Sequence, residues 1–303
     1  MAELKYATGW FRDLPDFRDY TVETEEPKAK AKGIRTIKAS ARKMGVASPA
    51  APAKLPVCVD FRVRCSPIED QGQLGSCTAN ATVGLLEYFE RQACGNYIDH
   101  SRLFVYKVTR ELLGWSGDSG GTLRAAMGAL ALFGAPPEKY WPYDIANFDM
   151  EPSAFVYAFA ENYQAVRYFR YDPPGTQRPE LLARLKTWLA AGWPSMFGFT
   201  CYSSLSSPQT AATGKIPFPA SGEQVVGGHA IVAIGYDDNM VIQNPNANGP
   251  QTTGAFIIRN SWGTGWGEAG YGYLPYEYLL RGTATDWWTL LKDDWVDSNQ
   301  FGI

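Results

Sequence analysis

The chain has 303 residues, 45% of them apolar, and 28 Lys or Arg against 31 Asp or Glu, a formal net charge of −3. That length can bury a sizeable core and accommodates two subdomains. The small net charge gives no general case for nucleic-acid binding, and no run approaches the roughly eighteen apolar residues of a membrane span, so neither a nucleic acid nor a membrane is an expected partner.

Met1-Ala-Glu-Leu-Lys-Tyr-Ala-Thr-Gly lacks the apolar core of a secretory signal. A cytoplasmic location is the default expectation, with non-classical export or a trimmed signal left open. Residues 1–26 hold seven acidic and three basic side chains, and residues 27–54 hold eight Lys or Arg and no acid. The second stretch, ending in the Ala/Pro run Ala47 to Ala53, has the composition of a linker and too few large apolar groups to fold alone. A solvated tether is weighted above a binder of anionic surfaces. Gly9 to Tyr20 differs, because Trp10, Phe11, Leu14, Phe17 and Tyr20 could anchor it in a groove of the remaining chain.

Gln71-Gly-Gln-Leu-Gly-Ser-Cys77 places a side-chain amide six residues before a thiol, with a flexible Gly-rich turn between. Gln71 could donate to the oxygen that becomes negative when the thiol attacks a carbonyl. The run after Cys77 reads as a mostly apolar helix, so the thiol sits at a helix N-terminus, where the partial positive charge favours the thiolate. Further helices are read at Arg102 to Leu113, Leu123 to Phe133 and Leu181 to Ala190, and strands at Pro194 to Thr200, Ala230 to Gly235, Ala255 to Arg259 and Trp287 to Leu291. The strand after His229 is expected to end at the Gly235 to Asn239 turn.

A thiol nucleophile needs a base, and the chain has two histidines. His100 reads as a surface or helix-start residue. His229, with Gly227 and Gly228 leaving room beside its ring, is the better-placed base. Asn260, at the end of a buried strand, could orient the imidazole without adding charge, and Trp262 could shield that bond from water. Removing Cys77 leaves Cys58, Cys65, Cys94 and Cys201, for which free buried thiols are the default. Cys58 and Cys65 have no histidine or second cysteine pair near them in sequence, so no metal and no cofactor are expected.

Taken together, Gln71 to Cys77, Gly228-His229-Ala230 and Asn260-Ser-Trp-Gly-Thr-Gly-Trp-Gly resemble the papain-like cysteine peptidases, as does Pro56-Val-Cys-Val-Asp-Phe-Arg as a mature N-terminal strand. The order Gln, Cys, His, Asn is the family's order. The resemblance implies Cys77 as nucleophile, His229 as its proton partner, Asn260 as orienting group and Gln71 with the Cys77 N–H as oxyanion donors. It also implies a substrate-binding set of Gly120, Gly121, Gly228 and Trp262, the glycine pair offering its backbone to an extended peptide. Met196, Cys201 and Tyr202 join Gly228 as candidates for the specificity pocket. Leu74 and Thr78 depart from the pattern: many members carry a disulfide-forming cysteine at the first position and tryptophan at the second. Tyr140-Trp-Pro-Tyr-Asp, Gly192-Trp-Pro-Ser-Met-Phe-Gly-Phe and neighbouring segments are similar to a bacterial branch typified by xylellain.

The resemblance implies an α+β, papain-like two-subdomain fold. Residues 55–303 would form the peptidase domain, with a mainly helical left half (55–165), a β-barrel-like right half (166–290), a cleft between them and a C-terminal strap (291–303). Residues 1–54 would be a pro-segment and linker, so the expected entity is a zymogen: a monomeric cysteine endopeptidase whose own N-terminal segment occupies the cleft until a peptide or protein substrate replaces it. Two other readings stay open, a catalytically silent peptide-binding protein on the same scaffold and an acyltransferase or amidase with the same triad.

Overall fold

The computed structural model describes residues 7–21, 54–164, 167–246 and 248–291. Nearly all of the basic linker and of the C-terminal strap lies outside the described residues.

Helix α1 (Cys77–Cys94) starts at the thiol and stops at Gly95, whose left-handed backbone (φ +78°) turns its N–H onto Arg91 O. Cys77 through Glu90 are buried, because α2 (Arg102–Leu113) and α3 (Leu123–Leu132) cover one side of α1 and the sheet covers the other. Ser101 accepts from Phe104 N to cap α2, and Thr122 accepts from Ala125 N to cap α3; each cap contributes about 1 kcal/mol. A short helix α4 (Ala154–Ala160) follows.

The second half is one antiparallel sheet. Its strands are β1 (Cys58–Asp60), β2 (Arg167–Arg170), β3 (Ser195–Tyr202), β4 (Val225–Gln243), β5 (Gln251–Arg259), β6 (Tyr271–Pro275) and β7 (Ala284–Leu291), in the order β2-β7-β3-β4-β5-β6 with β1 joining β4 beside that path. Helices α5 (Arg178–Ala190), α6 (Pro208–Thr213) and α7 (Tyr276–Leu280) lie among these strands in sequence. At the centre of the sheet Phe197 stacks on Trp287, ring centroids 3.9 Å apart, and Phe256 meets the same indole at 5.0 Å. Such aromatic pairs add about 0.5–1.5 kcal/mol beyond the area they bury.

The register sets the site. Val232 pairs with Arg259, so Asn260 emerges level with Ile231, and His229 lies two residues back on the same strand face. On its other side β4 pairs His229 with Phe199 and Gly228 with Thr200 of β3.

Several expectations change. The strand after His229 does not end at Gly235 but continues to Gln243, with irregular register at Ala233/Gly235 and Asp237/Val241. Gly235 permits a crossing there: a Cβ on it would lie 2.0 Å from Val59 O of β1. What reads as turn chemistry is room for a neighbouring strand. Helix α5 begins three residues before the predicted Leu181, with Pro179 in its first turn. The strands β2 and β6 escape a search for apolar alternation because Arg-Tyr-Phe-Arg and Tyr-Gly-Tyr-Leu-Pro carry little of it. His100 is buried rather than on the surface, its ring held between Ala135 O (2.6 Å) and the Glu90 carboxylate (2.9 Å). None of the five cysteines is paired in a disulfide, and Cys58 and Cys94 are exposed where burial was expected.

Candidate active site

A short backbone ladder closes the two halves on each other. Asp70 bridges Trp262, Gln71 N donates to Ser261 O (2.9 Å), and Gly263 N donates to Glu69 O (3.0 Å). The loop ahead of α1 is thereby fixed to the turn after β5, and the start of α1 faces β4.

His229 Nε2 and Asn260 Oδ1 lie 2.8 Å apart. Ser261 N donates to the same Oδ1 (2.9 Å), which turns the amide so that its oxygen meets the ring and the ring proton sits on Nε2. Trp262 stacks on His229 at 4.5 Å and 23°, shutting water from that bond. His229 Nδ1 is buried without a hydrogen-bond partner, leaving its lone pair free. Gln71 is fully buried, with Oε1 accepting from Ser261 Oγ (2.6 Å) and Nε2 donating to Leu74 O (2.9 Å) and to Ala7 O (3.2 Å).

Ala7 belongs to the N-terminal segment, which lies across the site. Gly121 N donates to Gly9 O (2.8 Å), Phe11 N to Gly121 O (3.0 Å) and Trp10 N to Gly228 O (3.0 Å), so Trp10 bridges Gly121 in the parallel sense while also gripping β4. Gly9 lies where no other residue fits, since a Cβ on it would meet Gly75 O at 2.0 Å. The Trp10 indole fills the space over Gly198 of β3, where an added Cβ would be 1.9 Å from the ring. Further along, Phe11, Leu14, Phe17 and Tyr20 are all exposed, Phe17 to 98%. The expected aromatic anchoring therefore rests on Trp10 and on a half-exposed edge contact of Phe11 with Trp115 (5.4 Å), and the remaining hold comes from backbone bonds and carboxylates.

Burial reverses the expected charge state of the site. Burial pushes the Cys77 thiol up to about 11, although the backbone N–H groups of Ala230, Gly9, Thr78 and Cys77 itself pull it down. Burial likewise takes His229 down to about 4, against the opposing pull of Asn260. The helix N-terminus alone would favour a thiolate, but desolvation wins here and both groups are neutral.

Residues 55–279 match the sequence model of the family described as papain family cysteine protease. The chain belongs to that family. Among its papain-family relatives is xylellain, a cysteine protease from Xylella fastidiosa, whose crystal structure superposes with a TM-score of 0.71 at 31% identity, covering 95% of this chain and 97% of that one. An uncharacterized peptidase C1-like protein of Acanthamoeba polyphaga mimivirus is 34% identical over 225 residues, 73% of this chain and 68% of its own. Cysteine proteinase 2 of Entamoeba histolytica is 27% identical over 238 residues, 76% and 67% of the two chains. The fold is the α+β, two-subdomain papain fold, and the bacterial xylellain-like branch fits it.

Within this papain-family frame, the structure brings Cys77, His229, Asn260, Gln71, Gly120, Gly121, Gly228 and Trp262 around one site. Of the other pocket candidates, Met196 accepts from Thr82 Oγ1 (3.3 Å) inside the core and Tyr202 packs against Tyr278. Two residues that sequence reasoning passed over matter more. Ser261 holds the Gln71 amide, and Gly198 gives the Trp10 ring its room. Nothing in their residue type signals either role.

Proposed function

We propose that this chain is a latent cysteine endopeptidase, with residues 7–21 as its inhibitory cover. The observation that carries the reading is the position of Ala7 O on Gln71 Nε2, where the oxygen of a substrate carbonyl would sit, with the Gly9 N–H turned to Cys77. The segment thus occupies the donor of the site and lies against the nucleophile. Neutral Cys77 and neutral His229 are a resting pair. Uncovering them restores water and favours the ion pair.

In the uncovered enzyme His229 Nδ1 takes the Cys77 proton, and the thiolate attacks the peptide carbonyl. Gln71 Nε2 and the Cys77 N–H hold the oxyanion. The imidazolium, oriented through Nε2 by Asn260, then protonates the leaving amine, and water cleaves the thioester. The space over Gly198 supports a preference for substrates with a large apolar ring at that subsite. Trp10 Nε1 is buried there without a partner, so the walls supply shape rather than hydrogen bonds.

The test compares hydrolysis of a fluorogenic peptide by full-length wild type, Gly9→Ala and Gly9→Ala/Cys77→Ala. The methyl at residue 9 collides with Gly75 O, a backbone atom that cannot yield cheaply, so Gly9→Ala is expected to work at least about tenfold faster than wild type. The double variant should be inactive. Equal rates for wild type and Gly9→Ala would overturn latency, and hydrolysis by the double variant would overturn Cys77 as nucleophile.

A further inference from the structure

The segment is clamped at its second contact by a cluster of carboxylates with too few cations. Asp13 N donates to Asp286 Oδ2 (2.8 Å), and the Asp13 carboxylate accepts from Arg124 N (3.1 Å) and Trp288 Nε1 (2.9 Å). Asp19 takes Arg124 Nη2 (2.6 Å) and Arg170 Nη1 (3.2 Å). Arg170 also holds Asp172 (3.1 Å) and Asp286 (3.1 Å). The Asp286 backbone is in the left-handed region (φ +59°), held there by its N–H on Asp172 Oδ2 (2.9 Å).

The charges from each packed element can be set out among the described residues. Helix α3 supplies Arg124; β2 and the residues after it supply Tyr168, Arg170 and Asp172; β7 supplies Asp286 and the Trp288 indole. Without the segment, Asp172 and Asp286 match Arg124 and Arg170. The segment adds Asp13 and Asp19, while its own Arg18 is paired with Asp16 at 2.6 Å and Arg12 is exposed. Arg184 of α5 donates to Tyr171 O and pairs with Glu180. Docking therefore brings four carboxylates onto two guanidiniums in a largely buried place, where an uncompensated charge is costly.

Resting on the latent reading above, we propose that the cover is pH-responsive: docking takes up a proton at the Asp13–Asp286 pair, so the segment holds Cys77 covered under acidic conditions and loosens as the pH rises. Burial, then the Asp13 charge, pushes Asp286 up to about 7, and burial raises Asp13 as well. A group whose docked value lies above its free value favours the docked state fully below the free value. That contribution is lost as the pH climbs through the docked value. The contribution is thus present at acidic pH and is lost as the pH rises through about 7.

The experiment is hydrogen–deuterium exchange on the full-length Cys77→Ala chain, following peptides within residues 7–21 from pH 5.5 to 8.5 after correction for intrinsic exchange. The segment's opening equilibrium is expected to rise at least about tenfold across that range. Asp286→Asn should flatten the rise, and so should Asp13→Asn, which alters only the segment. At each pH, exchange in α1 should be the same in the two variants as in the parent chain, showing that the flattening comes from the segment and not from opening of the domain. A protected segment whose opening does not change with pH, or variants that keep the full slope, would overturn the proposal and leave latency standing. A segment unprotected at every pH would overturn both.

Discussion

Gln71 is held from three directions, by Ser261 Oγ on its oxygen and by Leu74 O and Ala7 O on its nitrogen. In a Gly9→Ala background, Gln71→Ala is expected to lower kcat by roughly 10²–10³ if this amide is an oxyanion donor. A fall of less than about threefold would mean that other groups build the hole. Ser261→Ala should cost less, since Leu74 O still orients the amide; steady-state kinetics with one peptide substrate rank the two. Gln71, Cys77, His229 and Asn260 were legible in the sequence because few residue types can perform their chemistry and histidine is scarce. Ser261 and Gly198 were not, because their roles depend on which distant atoms lie against them. The protonation of Cys77 was misread for the same reason. Its local helix terminus is visible in sequence, but the burial that desolvates it comes from residues remote in sequence.

Within the elements, α1 carries more than the nucleophile. Its Glu87 accepts from His100 N (3.1 Å) and from Ser66 Oγ, and Ser66 also accepts from Arg259 Nη2 (3.0 Å) of β5. Burial pushes the Glu87 carboxyl from its ordinary 4.5 up to about 7, the nearby Arg259 pulling the other way. His100 loses basicity to burial but gains more from Glu90, and ends above its ordinary 6.5. Both groups keep protons in the folded state that the unfolded chain has released. The Glu87 contribution therefore falls as the pH rises from about 4.5 through about 7, and the His100 contribution falls above 6.5, as the pH rises through its folded value. Thermal unfolding of Glu87→Gln should show a shallower drop in Tm between pH 5 and 8 than wild type; parallel curves would remove Glu87 from this role. The four long helices were read well because caps and apolar spacing are local, while the short α4, α6 and α7 were not read. The strands were read as fragments, because β4 runs through Gly235 only by virtue of β1 packing against it.

Across the whole molecule, the segment spans both halves. It holds Gly121 ahead of α3, Gly228 on β4, and through Asp13 and Asp19 the guanidiniums of α3 and β2. Its four backbone bonds to the rest of the chain, the fourth from Arg170 N to Tyr20 O, each contribute about 0.5–1.5 kcal/mol, and burying much of an indole adds about 1.5–3 kcal/mol, so Trp10 is the largest single apolar contributor. The sequence showed an aromatic-rich segment ahead of the domain, but not which ring would find a pocket, because that depends on a missing side chain at Gly198 in the opposite half. The central claim is that this segment, and not the fold, keeps Cys77 unreactive. It is tested most directly by alkylating full-length protein with iodoacetamide and measuring each cysteine by mass, with exposed Cys58 and Cys94 as references in the same molecule. Cys77 should react more slowly than both references in wild type and faster than both in Trp10→Ala. Alkylation of wild-type Cys77 as fast as Cys58 and Cys94, or no change on removing the Trp10 ring, would contradict the account.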